Sequence, residues 1–213
     1  MTPPRLTLIT DASFGDDGIV RCVERVARAL PDGVLCVQLR DKRRLDASLR
    51  VFAWRLRVVT RAVGATLVVN GHSEVARDVG ADGVHLGRDA GSVARARSTF
   101  PLAWISVAAH TDDDVRRAAT DGADAVFVSP VFDSRPPAAL ALPKAGRGLG
   151  ALRRARELAG RASVHALGGV GPDNARACRV AGAHGVAVIR ALLASQSPDR
   201  AARAIHDAIA ARW

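Results

Sequence analysis

Val164-His165-Ala166-Leu167-Gly168-Gly169-Val170 and Gly182-Ala183-His184-Gly185-Val186-Ala187-Val188-Ile189-Arg190 read as two short buried strands. The first stops at paired glycines and the second at the start of a helical pattern, so both leave backbone N–H groups free at their C-terminal ends. Two such ends side by side can hold a phosphate, because unpaired amides and the positive ends of helix dipoles converge on one spot. That arrangement is the phosphate cup built after strands 7 and 8 of a (β/α)8 barrel.

The remainder of the chain supplies the other six units. Further strands are predicted at Leu6–Thr10, Val34–Arg40, Thr66–Asn70, Gly83–Leu86, Ala103–Ala108 and Ala125–Val128, with the last two at Ser163–Leu167 and Gly185–Ile189. Between them run Ala/Arg/Glu/Asp-rich stretches with apolar residues at helical spacing, such as Val20, Val23, Val26, Ala27 and Leu30. A cassette recurs where helix passes to strand: Gly80-Ala81-Asp82-Gly83-Val84, Gly122-Ala123-Asp124-Ala125-Val126 and Gly182-Ala183-His184-Gly185-Val186. Its first glycine suits the left-handed turn that ends a helix, and the apolar run after it starts a buried strand. Strict alternation calls for a parallel sheet, and eight units favour closure. The expected fold is α/β, one (β/α)8 TIM barrel domain over residues 1–213.

Composition narrows the function classes. Hydrophobic residues make up 48 % of the chain, enough for a barrel interior and a helix layer, and no apolar run approaches a membrane span. The start, Met1-Thr2-Pro3-Pro4-Arg5, lacks the layout of a signal peptide, and Cys22, Cys36 and Cys178 lack metal spacing. Reduced thiols in a cytoplasmic protein are therefore expected, with no membrane partner. The net charge of +10 invites an anionic partner, yet Arg21, Arg25, Arg28, Arg153, Arg154 and Arg156 fall on outer helix faces. With no tyrosine and no aromatics interleaved among the arginines, nucleic acid is not expected as a partner.

Function in such a barrel lies on the loops that follow the strands. After strand 2, alternation puts Gln38, Arg40 and Lys42 on one side, a row able to hold phosphate or carboxylate oxygens. Equally, Arg40 and Lys42 can simply begin a solvated helix through Arg43 and Arg44. Strand 3 ends in Asn70-Gly71-His72, offering either a polar group at the mouth or a plain turn. Strand 4 runs out through His85-Leu86-Gly87-Arg88-Asp89. After strand 5, Thr111 and Asp114 have the spacing of a capping box and are expected to be structural. His110, left at the strand end, is the best-placed imidazole for proton transfer, although a lone histidine is more often structural. The long connection 129–147 contains Arg135, Lys144 and Arg147, which suits a lid over an anion or a disordered segment.

Taken together, the chain resembles the thiamin phosphate synthase and TenI (thiazole tautomerase) family. The resemblance rests on Val37-Gln38-Leu39-Arg40-Asp41-Lys42, Val68-Val69-Asn70, Gly80 through Gly87, His110-Thr111, Gly122-Ala123-Asp124, Ser129-Pro130-Val131-Phe132, Leu167-Gly168-Gly169-Val170 and Gly182 through Ile189. In the synthase it implies joining of an aminopyrimidine pyrophosphate to a thiazole phosphate with the help of magnesium. The departures from that pattern carry the argument. Gly71 stands where the synthase pattern has a magnesium-binding Asp, and Gly87-Arg88-Asp89-Ala90 replaces a run carrying the second one. Ala108 replaces a serine, and the Pro136-Pro137 region replaces a Thr-Lys pair. Magnesium needs carboxylates beside phosphate oxygens, and Asp89 is one carboxylate against two lost.

What remains resembles TenI, which implies metal-independent tautomerisation of a thiazole carboxylate phosphate. In that reading His110 carries the proton and Gly168, Gly169, Ile189 and Arg190 hold the phosphate. Gln38, Arg40, Lys42 and Asn70 line the mouth, with Arg40 and Lys42 taking the carboxylate. No cofactor is then required, and magnesium enters only if the protein is a synthase. Two alternatives stay open: a synthase with a rearranged metal site, which would also take the aminopyrimidine pyrophosphate, and a non-catalytic thiamin-pathway phosphate-binding regulator. Pairing into a homodimer is a further expectation from the resemblance.

Overall fold

The computed structural model describes residues 3–88, 90–134 and 145–210. Eight parallel strands close into a barrel in sequence order: β1 Leu6–Ile9, β2 Leu35–Leu39, β3 Thr66–Asn70, β4 Gly83–Leu86, β5 Trp104–Ala109, β6 Ala125–Val128, β7 Ser163–Leu167 and β8 Gly185–Val188. Strand β8 pairs with β1 to complete the ring. Around it lie α1 Asp16–Arg28, α2 Asp46–Ala62, α3 Ser73–Asp78, α4 Val93–Thr99, α5 Asp112–Thr120, α6 Gly148–Leu158, α7 Ala175–Val180, α8 Arg190–Leu193 and α9 Pro198–Ala210. No described helix is long and apolar enough to cross a membrane.

Every expected strand is present, with no edge shifted by more than one residue. The clearest shift is at β1 and β2, which stop before Thr10 and Arg40. There the Arg40 N–H donates to Thr10 Oγ1 at 2.9 Å, and that hydroxyl donates back to the Arg40 carbonyl at 3.2 Å. The Thr10 N–H still donates to the Gln38 carbonyl at 2.9 Å, and beyond that bond the threonine side chain takes over from the backbone ladder.

Strands buried on both faces need two apolar layers, and the alternation of side chains supplies them. Outward residues such as Leu6, Leu8, Val37, Leu67, Val84 and Ile105 join the helices in one large core. Inward residues Ile9, Cys36, Val68, Trp104, Ala125, Phe127 and Ala187 fill the barrel, with Leu167 and Ile189 packed on them. Helix α1 shows the outer logic: Val20, Val23, Val26 and Ala27 are buried while Arg21, Arg25 and Arg28 face solvent. Arg25 pairs with Asp199 and Arg154 with Asp112, both pairs exposed, so much of the positive charge is a solvated outer face.

The recurring cassette acts as a structural module. Gly80, Gly122 and Gly182 have φ of 60°, 78° and 97°, the left-handed values that end a helix without a Cβ clash. Asp82 and Asp124 then do work the glycines do not. Asp82 accepts from the Leu67 N–H (2.7 Å) and from both Arg57 terminal nitrogens (2.7 and 3.2 Å). Asp124 repeats this with the Ile105 N–H and Arg97, each at 2.7 Å. Each carboxylate ties a strand's first residues to a surrounding helix at the closed end of the barrel.

Candidate active site

The C-terminal ends of the strands form the mouth, and part of its floor is apolar. Leu167 and Ile189, each partly buried, pack on the interior cluster at that end. On one arc lies the glycine cup. Gly168 and Gly169 have φ of 95° and 65°, and their carbonyl side is committed, since Phe132 N–H donates to the Gly168 carbonyl and Asn174 Nδ2 to that of Gly169. Among the described residues, the N–H groups of Gly168 and Gly169 have no acceptor. Helix α8 begins at Arg190 directly after Ile189; among the described residues the N–H groups of Arg190 and Ala191 have no acceptor either, while those of Leu192 and Leu193 donate to the Ile189 carbonyl. Successive left-handed glycine amides beside a helix start make a concave anion receptor.

Glycine is required here twice over. A Cβ on Gly168 would lie 2.7 Å from Pro130 Cα, and one on Gly169 would lie 2.6 Å from the Asp133 carbonyl oxygen. The cup is thus packed against the connection after β6. That connection is closed at its base by Gly146 N–H donating to Asp133 Oδ1 (2.8 Å) and Arg147 N–H donating to the Pro130 carbonyl (2.9 Å). Its middle, Arg135 to Lys144, which includes the Pro136-Pro137 region and the basic lid residues, lies outside the described residues.

Gln38 sits inside the barrel, 2 % exposed, while Arg40 and Lys42 stand on the β2–α2 loop, Arg40 partly buried and Lys42 exposed. They do not begin a helix: α2 starts only at Asp46, and Arg44 is held by Asp16 and Asp41. Asn70 ends β3, and register sets it beside His85, which in turn sits beside Ser106.

His110 follows β5 and precedes α5. Its backbone N–H donates to Asp114 Oδ2 at 2.9 Å, and Thr111 and Asp114 complete the expected capping box. Burial raises the Asp114 carboxyl, but hydrogen bonds from His110 and Thr111 outweigh it and hold the group below the usual range. The side chain of His110 places Nδ1 2.8 Å from the Ser129 carbonyl oxygen. A carbonyl can only accept, so in the neutral ring Nδ1 carries the hydrogen and the lone pair is on Nε2, the tautomer a general base needs. Beside it a cavity of about 220 Å³ opens between α4 and α5, lined by Gly87, Arg88, Val107, Ala108 and His110 among others.

Gly71 has φ +79°, and a Cβ there would lie 3.8 Å from the methyl group of Ala90. These are the two positions at which the resemblance to the synthase implies carboxylates, and side chains there would meet. Here they are a hydrogen and a methyl group. Among the described residues no group of three or more His, Cys, Asp or Glu is arranged to hold a metal, and Asp89 lies outside them. The described residues do not fit a magnesium site of that design.

The family model described as thiamine monophosphate synthase matches residues 6–192. The chain belongs to this family. It is 35 % identical over 199 residues to the thiamine-phosphate synthase of Chloroflexus aurantiacus, covering 93 % of this chain and 89 % of that protein. To the thiamine-phosphate synthase of Halorhodospira halophila it is 39 % identical over 184 residues, 84 % and 85 % of the two chains. The solved thiamine phosphate pyrophosphorylase from Pyrococcus furiosus superposes with a TM-score of 0.84 at 26 % identity, covering 97 % of this chain and 95 % of that one.

Two features of this member were not read from its sequence. His85 lies in a strand with no motif that marks a role for it, and its partner Ser106 stands in no motif at all. Nδ1 of His85 lies 2.9 Å from Ser106 Oγ, with His85 4 % and Ser106 0 % exposed. Burial, helped by the charges of Arg40 and His110, pushes the His85 imidazole down to about 3. It is a neutral group beside a cationic loop. The available signal was alternation: Val84 and Leu86 face the helices, which turns His85 inward.

Proposed function

We propose that this family member binds a thiazole phosphate at the barrel mouth and transfers a proton on it without a metal, as a thiazole tautomerase. The single observation that carries the reading is the meeting of Gly71 and Ala90, where a synthase site would need two carboxylates. Pyrophosphate departure leaves a high negative charge to be neutralised, and that need falls on a metal. Tautomerisation has no such leaving group. It needs an anion clamp and one base that takes a proton from one carbon and returns it to another as the ring becomes aromatic.

The chain's own groups suit that task. The amides of Gly168 and Gly169, with those at Ile189 and Arg190, bind the phosphate. Arg40 and Lys42 take the carboxylate, Gln38 and Asn70 border the ring, and Leu167 and Ile189 exclude water beneath it. His110 Nε2 accepts the proton, while the Ser129 carbonyl accepts a hydrogen bond from Nδ1–H and keeps the ring oriented in both protonation states.

A synthase is the second reading. It is favoured by the identity of 35–39 % to proteins named thiamine-phosphate synthase and by the retained Gln38, Arg40 and Lys42. The two separate on thiamin phosphate formation from aminopyrimidine pyrophosphate and the aromatic thiazole phosphate with magnesium, beside a competent synthase. No product is expected; product near the control rate would establish the synthase and remove the proposal.

A further inference from the structure

Asn70, His85 and Ser106 form a row across three neighbouring strands, level by register. Ser106 is fully buried, and among the described residues its hydroxyl has one partner, Nδ1 of His85, at 2.9 Å. The hydroxyl hydrogen therefore has one acceptor. If Nδ1 carried a hydrogen and donated to Oγ, the serine O–H would be left unpaired in a dry interior, which buried polar groups avoid. With the serine donating, Nδ1 keeps its lone pair and the hydrogen sits on Nε2. The rings of Phe127 and His85 pack in a T-shaped pair, 5.0 Å between centroids, which restrains the imidazole.

We propose that His85 is a neutral hydrogen-bond donor, through Nε2–H, to the ring nitrogen of the bound heterocycle, and that Ser106 is the positioning residue that holds it in that tautomer. The inference rests on the reading that a thiazole phosphate occupies the mouth. The oxyanions of such a ligand are matched by Arg40, Lys42 and the glycine amides. Its ring nitrogen, an uncharged acceptor lying in the plane of a ring set on Leu167 and Ile189, is matched by an uncharged donor. The same neutrality is useful in catalysis, because a neutral imidazole can polarise a developing anion without giving up its proton. It stays neutral because burial makes its charged form costly.

The test uses the full chain with two probes, the aromatic thiazole phosphate and its thiophene isostere, which lacks the ring nitrogen. The wild type is expected to bind the thiazole about tenfold more tightly. Ser106→Ala should lose fivefold or more of that preference while binding the thiophene as before, and Ser106→Thr, which restores a hydroxyl, should recover it. Long-range proton–nitrogen NMR on histidine-labelled wild type, assigned with His85→Gln, should place the His85 hydrogen on Nε2. That spectrum needs no folded serine variant. A hydrogen on Nδ1, equal binding of both probes by the wild type, or an undiminished preference in Ser106→Ala would overturn the inference alone. Failure of the wild type to bind either probe would instead overturn the reading of the mouth on which it rests.

Discussion

Gly169→Ala probes the proposed phosphate cup and its packing together. At φ 65° an alanine pays the left-handed cost, about 1 kcal/mol or slightly more. Its Cβ would also sit 2.6 Å from the Asp133 carbonyl oxygen and 2.8 Å from Phe132 Cβ, where neither neighbour is a loose side-chain tip. Overpacking of that kind costs about 1–3 kcal/mol, so the sum is roughly 3 kcal/mol. For a chain of this size that lowers Tm by about 10 °C. Relief requires the Asp133 segment to move away from the cup, so affinity for a phosphate ligand should fall as well. Gly171→Ala is the matched control: its nearest contact is the Ala191 methyl at 4.0 Å, with no left-handed φ, and it should cost little. Urea denaturation of both variants, with phosphate-ligand titration, reads both effects. Equal stability of Gly169→Ala and Gly171→Ala, with phosphate affinity intact, would refute the argument.

Other predictions follow from the same structure. His85 and His165 are both pushed down to about 3, chiefly by burial, from an ordinary 6.5. Below pH 6.5 the unfolded chain gains protons that the folded chain refuses until about pH 3, so stability present above 6.5 is lost as the pH falls; the cost is roughly 2 kcal/mol per imidazole at pH 5. Urea midpoints that stay flat between pH 7 and 5 would contradict this. Asp82→Ala leaves Arg57 unpaired with its side chain only 10 % exposed, and should cost about 2–3 kcal/mol after allowance for the 28 % exposure of Asp82, measured by chemical denaturation. Gly71→Asp with Ala90→Asp should create magnesium-dependent pyrophosphate binding by calorimetry, Asp being tolerated at a left-handed φ. The unmodified chain should show none.

The barrel was legible because its signals are local. Each strand is a short apolar run, each cassette glycine announces a helix end, and a capping box at Thr111 lies within four residues of chain. The roles of Asp82 and Asp124 were hidden because their partners, Leu67 N–H with Arg57 and Ile105 N–H with Arg97, belong to other elements and meet them only through the stagger of the closed sheet. The pairing of His85 with Ser106 has the same origin, since a shift of one residue in the β4–β5 register would turn them to opposite faces. At the site, the loss of carboxylates at Gly71 and Ala90 could be read from the resemblance. That the two positions touch is a property of the loops after β3 and β4, and it turns two separate absences into one. The sequence does not separate the two alternatives for Arg40 and Lys42, because a basic run after a strand suits a loop or a helix start; the Thr10 hydroxyl, reaching across from just after β1, anchors Arg40 in a loop.

The most direct measurement is conversion of the non-aromatic thiazole carboxylate phosphate to its aromatic tautomer by the purified chain in the presence of EDTA, followed by proton NMR, beside His110→Gln. The account predicts turnover without metal in the wild type and its loss in His110→Gln, with binding of the aromatic phosphate unchanged. Full activity in His110→Gln would remove that residue from the mechanism, and no turnover in the wild type would contradict the tautomerase itself.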